Sequence, residues 1–260
     1  MELAYHGYNA FVARTGDAEI AIDPGGSLYF FTFLKSLIPK NEWRNITHVL
    51  VTHGDPDHHW YTDRVARKSG APIICNENMI KEEDGKLLMN HPRTRSISYM
   101  HVDNLNPLAV GETIEVAGVT VTGIQVVHGP LQIKLGPFKK TLVPGPGERI
   151  GIGQMGFEIH VNGRSLVNLG DTLLLEEEWT SIKHPDVLMI PIGGLNTMDV
   201  NDAAVAVDAM RPEIVVPCHY DCPGLFSKKY NRVETATFKA HVEESGARCL
   251  LMEPGDRVTL

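Results

Sequence analysis

Alternating apolar and polar residues predict strands at the start of the chain. Three such runs, Leu3 to Tyr5, Ala10 to Val12 and Glu19 to Ile22, lie within the first 25 residues. They lead into the turn sequence Asp23-Pro24-Gly25-Gly26. Short runs of this kind bounded by Gly and Pro are typical of strands in a sheet. We therefore expect the chain to open with three strands.

Later segments predict an alternation of strands and helices. Compact apolar runs predict strands over residues 47–51, 72–75, 187–190, 214–216 and 247–252. Helices are predicted over 59–69, 199–210 and 232–244, and residues 27–38 are a candidate short buried helix. Asp199 is a typical helix N-cap, and Gly70 is a typical residue just past a helix end.

Two hairpins complete the predicted elements. Residues 111–127 turn at Ala117-Gly118, and residues 156–168 turn at Asn162-Gly163. Residues 129–150 are rich in Gly and Pro and predict a long loop. The order of elements indicates two similar halves, each a sheet with helices outside, and no linker between them. We expect a single α/β domain over residues 1–260.

Composition excludes several classes of protein. With 43% hydrophobic and 22% charged residues, the chain is not expected to be disordered. Its longest apolar run, residues 28–34, is too short to cross a membrane. A net charge of −8 argues against nucleic acid or an anionic membrane as the main partner. Four scattered cysteines and the lack of a secretory signal predict a cytoplasmic protein.

The segment His53-x-Asp55-x-Asp57-His58 places four candidate metal ligands within six residues. Imidazole and carboxylate groups are the usual ligands of catalytic metal sites, although such a cluster also occurs by chance on a solvated turn. His128, Asp171 and His219 each follow a predicted apolar strand. Because strand ends gather at one edge of a sheet, these positions favour the metal site over the solvated turn.

In this order, these motifs resemble those of the metallo-β-lactamase superfamily of binuclear metal hydrolases. Asp23, in Ile22-Asp23-Pro24-Gly25, matches the first motif of that family. The segment from Pro191 to Asp199, followed by Ala203-Ala204, is closer to one branch. That branch contains the L-ascorbate-6-phosphate lactonase-like metal-dependent hydrolases.

The resemblance implies an αββα sandwich, in which two mixed β-sheets pack face to face with helices on the outer faces. It implies two divalent metal ions and a small-molecule substrate, and it favours a homo-oligomer. The implied ligands are His53, Asp55 and His128 for one ion, Asp57, His58 and His219 for the other, and Asp171 for both. Asp23 would steady the ligand turns through hydrogen bonds.

This chain departs from the family pattern at two positions. Asp55 stands where the family usually has a third His, which lowers the formal charge of the site with two divalent ions from +2 to +1. A harder ligand shifts preference towards Mn or Fe, although Zn remains the first expectation. Tyr8 stands where related hydrolases have a His that faces the site. His6 would share a strand face with Tyr8, and packing is an equal alternative for both.

The implied reaction is hydrolysis of a lactone, ester, amide or phosphoester by a metal-bound hydroxide, with Asp57 as ligand and proton acceptor. The 129–150 segment holds Lys134, Lys139, Lys140 and Arg149, which suggests an anionic substrate or simply a solvated basic loop. Tyr8, Trp60 and Lys134 are candidate substrate contacts. A diiron redox or oxygen-binding protein and a nuclease or phosphodiesterase are the alternatives.

Overall fold

The computed structural model describes residues 1–27, 35–94, 96–135, 138–142, 151–220, 222 and 233–260, with the backbone alone at 131–135, 138–139 and 142. In chain order, the strands are Glu2–Tyr5 (β1), Phe11–Thr15 (β2), Ala18–Ile22 (β3), His48–Val51 (β4), Ile73–Asn76 (β5), Ile80–Glu83 (β6), Lys86–Asn90 (β7), Tyr99–His101 (β8), Leu105–Leu108 (β9), Thr113–Val116 (β10), Val119–Ile124 (β11), Leu131–Leu135 (β12), Phe138–Leu142 (β13), Gly156–Val161 (β14), Arg164–Asn168 (β15), Val187–Pro191 (β16), Ile214–Cys218 (β17), Arg248–Cys249 (β18) and Arg257–Thr259 (β19). The helices are Pro56–His59 (α1), Thr62–Ser69 (α2), Glu176–Trp179 (α3), Val200–Met210 (α4) and Thr235–Glu244 (α5), and Glu77–Met79 forms a 3₁₀ turn.

Two seven-stranded mixed sheets form the body of the protein. The first has the order β19-β1-β2-β3-β4-β5-β9, and the second has the order β10-β11-β14-β15-β16-β17-β18. In each sheet an antiparallel part passes into a parallel part, at the β3–β4 pair in the first and at the β15–β16 pair in the second. The predicted sandwich of two mixed sheets with helices is confirmed.

Alternation of apolar side chains along the strands builds three hydrophobic layers. Leu50 of β4 points into the core between the sheets, where it joins Phe157 and Val187 of the second sheet. Its neighbours Val49 and Val51 point the other way and pack with α2. On the far side, the second sheet packs against α4 and α5. Successive strand residues therefore serve opposite faces, as a buried sheet covered by helices requires.

Several predicted elements are confirmed. The three opening strands, both hairpins with their turns, and the helix that follows Asp199 are all present. The Asp199 carboxylate accepts hydrogen bonds from the backbone N–H groups of Asn201 and Asp202, as expected of an N-cap. Gly70 ends α2 in the left-handed conformation. The candidate helix at 27–38 lies largely outside the described residues.

Other elements differ from the sequence-based expectation. The predicted loop at 129–150 contains an antiparallel hairpin, β12 with β13, because residues 131–135 alternate apolar and polar positions. A three-stranded sheet, β6-β7-β8, has no counterpart in the predicted elements, and β19 pairs with β1 across the whole length of the chain. None of the described helices is long and apolar enough to cross a membrane.

A cluster of charged side chains closes the edge of the first sheet. Glu42 is buried and accepts hydrogen bonds from Arg14 and, at 2.7 Å, from Arg257. Nε2 of His6 lies 3.8 Å from the same carboxylate. Burial lowers the pKa of His6 to about 4, and the attraction of Glu42 does not compensate because the two arginines already neutralise that carboxylate.

This cluster predicts a loss of stability in mild acid. Between pH 6.5 and 4, His6 is protonated in the unfolded chain and neutral in the folded chain. The free energy of unfolding therefore falls as the pH falls. From pH 6.5 to pH 5 the loss from this group is about 2 kcal/mol. We expect His6→Gln to lose about that much less than the wild type when urea unfolding is compared at pH 7 and pH 5.

His160→Gln provides the control, because it also removes one histidine, but one that is exposed and not beside Glu42. An equal loss in the His6→Gln and wild-type proteins would contradict the prediction.

Candidate metal centre

One turn of the first sheet supplies four of the candidate ligands. Strand β4 ends at Val51, and the chain then turns through His53 and Asp55 into the short helix α1, which carries Asp57 and His58. The turn is held from below by the 23–26 segment, whose Gly26 N–H donates to the Pro56 carbonyl. A Cβ atom at Gly25 would lie 1.6 Å from the backbone oxygen of Asp57, so only glycine allows this close approach.

Three further ligands come from ends of strands or the segments after them in the second sheet. His128 follows β11, Asp171 follows β15 and His219 follows β17 directly. All three side chains are nearly or fully buried, and they face the turn of the first sheet. The structure therefore brings together all seven residues that the sequence singled out as metal ligands.

The ligand atoms fall into two groups, each of which takes residues from both sheets. His53, His128 and Asp171 form one group, and Asp57, His58 and His219 form the other. Within each group the candidate ligand atoms lie within 4.8 Å of one another.

Asp171 lies between the two groups. Its Oδ2 is 3.7 Å from Nε2 of His128 and 3.2 Å from Nε2 of His219, and its Oδ1 is 3.5 Å from Nε2 of His58. Oδ2 thus lies between His128 of one group and His219 of the other, while Oδ1 faces His58.

Asp55 lies beside the first group. Its Oδ2 is 3.6 Å from Nε2 of His53 and 3.5 Å from Nε2 of His128. Its Oδ1 accepts a hydrogen bond of 2.8 Å from the backbone N–H of Gly151. The hydrogen bond fixes Oδ1, and Oδ2 is turned towards the two imidazoles.

Hydrogen bonds fix three imidazoles with Nε2 facing the centre. Nδ1 of His58 donates to Asp23 at 2.6 Å, and Nδ1 of His128 donates to the Gly129 carbonyl at 2.6 Å. The hydroxyl of Thr52 donates to Asp23, so it accepts from Nδ1 of His53 at 3.0 Å. Each Nε2 is left with its lone pair, the form in which His binds metal.

These groups fit a divalent cation. Nε2 of His53, His58 and His128 and Oδ1 of Asp171 are buried and have no hydrogen-bond partner among the described residues. Buried polar atoms without partners are rare because desolvation leaves them uncompensated, and a metal ion is one way to satisfy them. Several lone pairs turned to one point suit a cation rather than a water molecule or a buried proton donor.

The electrostatics of the metal-free centre show the same preference for positive charge. Burial acts to raise the pKa of Asp57, but His58 and His219 outweigh it and hold that pKa well below its ordinary value. Burial acts to lower the pKa of His58, but Asp171, Asp57 and Asp23 raise it well above its ordinary value. A proton on His58 therefore competes with a metal ion for the centre.

Asp23 lies beneath the candidate ligands and forms a hydrogen bond with one of them, His58. Its fully buried carboxylate accepts four hydrogen bonds: from Asn9 Nδ2, the Thr52 N–H, the Thr52 hydroxyl and His58 Nδ1. Asn9 exchanges two further hydrogen bonds with Asn168, at 2.9 and 3.0 Å. Since Asn168 belongs to β15, this network joins the two sheets directly under the centre.

Three residues with strained backbone lie at the centre. Tyr8, Asp23 and His219 all have a positive φ, between 46° and 54°, which is unfavourable for residues with a Cβ atom. The His219 N–H donates to the Tyr8 carbonyl at 2.9 Å, and the Tyr8 ring packs edge-on to the His219 ring with centroids 5.7 Å apart. The two strained residues therefore hold each other in place.

The candidate substrate contacts Tyr8, Trp60 and Lys134 lie in different surroundings. Tyr8 lies beside His219, whereas His6 is turned to Glu42, because residues 7–9 form a turn rather than a continuing strand. The expectation that His6 and Tyr8 share a strand face is therefore wrong. Trp60 packs against the hydrophobic layer around α2, away from the ligands. The side chain of Lys134 lies outside the described residues.

Three polar residues near the centre were missed by sequence reasoning. Asn196 donates from Nδ2 to Oδ2 of Asp171 at 3.2 Å, Gln154 accepts from the His128 N–H at 2.7 Å, and Thr52 joins Asp23 to His53. Thr52 directly precedes the ligand turn, which was the one available signal. Gln154 lies in no motif, and Asn196 lies in the segment from Pro191 to Asp199, which indicated a family branch but no contact with the centre.

The network predicts that Asp23→Asn weakens metal binding. An amide in place of the carboxylate turns one acceptor oxygen into a donor. That donor would face N–H or O–H groups that themselves donate to Asp23 in the wild type. Loss of such a partner behind a metal-binding His typically costs 10- to 100-fold in affinity, roughly. Competition with a chelator measures this affinity.

The matched control is Asp63→Asn, which breaks the buried ion pair with Arg93 and leaves the centre untouched. Equal metal affinities of Asp23→Asn and Asp63→Asn proteins would contradict the supporting role of Asp23.

Comparison with known proteins places this fold and centre in context. A family model described as the beta-lactamase superfamily domain matches residues 2–219. The chain is 29% identical over 265 residues to a UPF0173 metal-dependent hydrolase from Pyrobaculum arsenaticum, with both chains fully covered. It is 28% identical over 266 residues to a UPF0173 metal-dependent hydrolase from Symbiobacterium thermophilum, again over both full lengths.

Solved structures share the fold. Igni18, a metallo hydrolase from Ignicoccus hospitalis, superposes with a TM-score of 0.70 at 23% identity, covering 99% of this chain and 97% of that one. CmlA, a diiron β-hydroxylase from Streptomyces venezuelae, superposes with a TM-score of 0.64 at 15% identity, covering 100% of this chain and 54% of that one. Since the family model covers most of its length, the chain belongs to the metallo-β-lactamase superfamily.

Proposed function

We propose that the protein is a hydrolase that uses two divalent metal ions on a small-molecule substrate. The observation that carries this proposal is the pair of ligand groups. Within them, Nε2 of His53, His58 and His128 and Oδ1 of Asp171 are buried and have no hydrogen-bond partner among the described residues. The relatives named as metal-dependent hydrolases, which align over the full length of the chain, support the same activity.

The proposed ligands follow the geometry of the two groups. His53, Asp55 and His128 would hold one ion, and Asp57, His58 and His219 would hold the other. Asp171 would bind both, since its Oδ2 lies near His128 of one group and His219 of the other. Three carboxylates against two divalent ions leave a formal charge of +1. The four imidazoles suit Zn, which is the first expectation, and the additional carboxylate of Asp55 makes Mn and Fe acceptable.

Two divalent ions would supply an activated water and would polarise the carbonyl or phosphoryl group of the substrate through its oxygen. The protein's own part is to orient the ligands and to handle the proton. Asp57 is the proposed proton acceptor, because its Oδ2 lies at the centre, 3.4 Å from Nε2 of His219. The low pKa of Asp57, which its neighbours His58 and His219 maintain against burial, keeps it anionic near neutral pH.

The proposed substrate is a lactone, ester, amide or phosphoester. The lactonase-like branch rests on the segment from Pro191 to Asp199, of which Asn196 contacts Asp171. The net charge of −8 favours a small molecule over nucleic acid and so disfavours a nuclease. A cytoplasmic location and a homo-oligomer remain part of the same proposal.

Asp55 favours a second candidate, a diiron redox or oxygen-binding protein. A third carboxylate in contact range of His53 and His128 gives the first ligand group the harder character that iron prefers. The shared fold of CmlA, itself a diiron β-hydroxylase, is compatible with this alternative.

The proposed centre predicts two metal ions per chain. Elemental analysis of protein purified without added metal should give about two equivalents in the wild type and about one in His128→Ala, since that change removes a ligand of one group only. His160→Ala, which removes an exposed His far from the ligands, should keep both. At most one equivalent in the wild type would exclude the binuclear centre, and two equivalents of iron would favour the diiron alternative.

Asp57→Asn should abolish most of the hydrolysis while the fold is retained. The amide keeps the shape of the side chain but accepts no proton, and a positioned general base contributes about 10²- to 10⁴-fold to the rate. The assay uses γ-butyrolactone, phenyl acetate and bis(4-nitrophenyl) phosphate with Zn or Mn.

The control is Asp208→Asn, which disturbs an exposed Asp–His pair with His241 instead. Full activity of the Asp57→Asn protein would exclude the proposed role of Asp57.

A further inference from the structure

A cavity of about 660 Å³ opens beside the first ligand group. His128 forms part of its wall. Gly151 lies against the His128 ring, since a Cβ atom built on Gly151 would be 3.6 Å from Cγ of His128. The same Gly151 donates its N–H to Asp55. A molecule in this cavity would therefore lie directly beside the candidate ligands His128 and Asp55.

Carboxamide side chains are the distinctive feature of the cavity. Four of the described lining residues carry this group: Asn76, Asn78, Gln125 and Gln154. Among the described lining residues, none is Lys, Arg, Asp or Glu. Glycine backbone forms much of the remaining wall. The described wall thus offers hydrogen bonds and no charge to match an ionised group.

Backbone partners determine which end of two of these amides remains available. Oε1 of Gln154 accepts the His128 N–H at 2.7 Å, so the two N–H donors of its Nε2 are left over, with no hydrogen bond to a described residue. Nε2 of Gln125 donates to the Val126 carbonyl at 3.1 Å, so its Oε1 remains as an acceptor. The cavity therefore combines available donors with an available acceptor.

We propose that this cavity is the subsite for an uncharged hydrogen-bonding group of the substrate, a carboxamide or a hydroxyl-bearing group, with Gln154 as the donor that selects it. A carboxamide presents both a carbonyl oxygen for Gln154 and N–H groups for an acceptor such as Gln125. A carboxylate can also accept from Gln154, but it has no N–H group for Gln125, and none of the described lining residues is a Lys or Arg that could pair with its charge. This inference rests on the proposed hydrolase function and specifies its substrate.

Matched esters test the subsite. The probes are 4-carbamoylphenyl acetate, 4-carboxyphenyl acetate and phenyl acetate, each rate being divided by that of uncatalysed hydrolysis. We expect kcat/KM to be highest for the carbamoyl ester. Gln154→Glu keeps the acceptor for the His128 N–H but removes both donors, so kcat/KM for the carbamoyl ester should fall by about five- to tenfold relative to phenyl acetate.

Gln125→Glu is the matched variant, because it alters a second cavity amide whose N–H is already bound to Val126. Its effect on the carbamoyl ester should be smaller than that of Gln154→Glu. Equal turnover of all three esters by the wild type would overturn the subsite and leave the hydrolase function intact. Preference for the carboxy ester would overturn it in favour of the basic 129–150 segment.

A binding measurement decides the inference even if none of the esters is hydrolysed. In ¹H–¹⁵N spectra of the metal-free protein, the side-chain amide signals of Gln154 are identified by their loss in Gln154→Glu. Benzamide should shift these signals, and benzoate at the same concentration should not. Absence of a shift with benzamide, or a larger shift with benzoate, would overturn the proposal. Failure of hydrolysis with all esters, by contrast, counts against the hydrolase function.

Discussion

The hydrogen bond between the buried carboxylate of Asp23 and Nδ1 of His58 is the interaction on which the centre depends. It fixes the ring so that Nε2 faces the other ligands. The same carboxylate also holds Thr52 and Asn9, and through Asn9 it reaches Asn168 in the other sheet. One fully desolvated anion therefore sets the orientation of a ligand, the end of β4 and the alignment of two sheets. Such a group is tolerated because all four of its hydrogen bonds are made.

Much of the fold and the positions of the candidate ligands could be predicted from local patterns in the sequence, and the family resemblance suggested how those ligands divide between two ions. Buried strands leave runs of apolar residues, and the polar residue that follows each run stands at the edge of a sheet. Asp171 and His219 could be recognised for this reason, although each is far from His53 in sequence. These features depend on periodicity and on strand ends, both of which are visible in one chain.

Interactions between distant polar residues could not be predicted in this way. Asn9 and Asn168 are 159 residues apart, and neither belongs to a periodic pattern. Gln154 is invisible for the same reason, since its role depends on a contact with the His128 backbone. The pairing of β19 with β1 joins opposite ends of the chain, and only the finished sheet determines it. Long-range contacts of this kind depend on the packed sandwich and carry no local signal.

Each ligand group takes residues from both halves of the sandwich, and this couples metal binding to the packing of the sheets. The turn after β4 supplies His53 to one group and His58 to the other, while His128 and His219 reach them from the second sheet. A bound ion would act as a cross-link between the two layers, stabilising the assembled state by the free energy of its binding. Neither half alone contains a complete group, so metal affinity is a property of the sandwich as a whole. Release of an ion would thus remove one link between the sheets at that edge and leave the Asn9–Asn168 hydrogen bonds as the other.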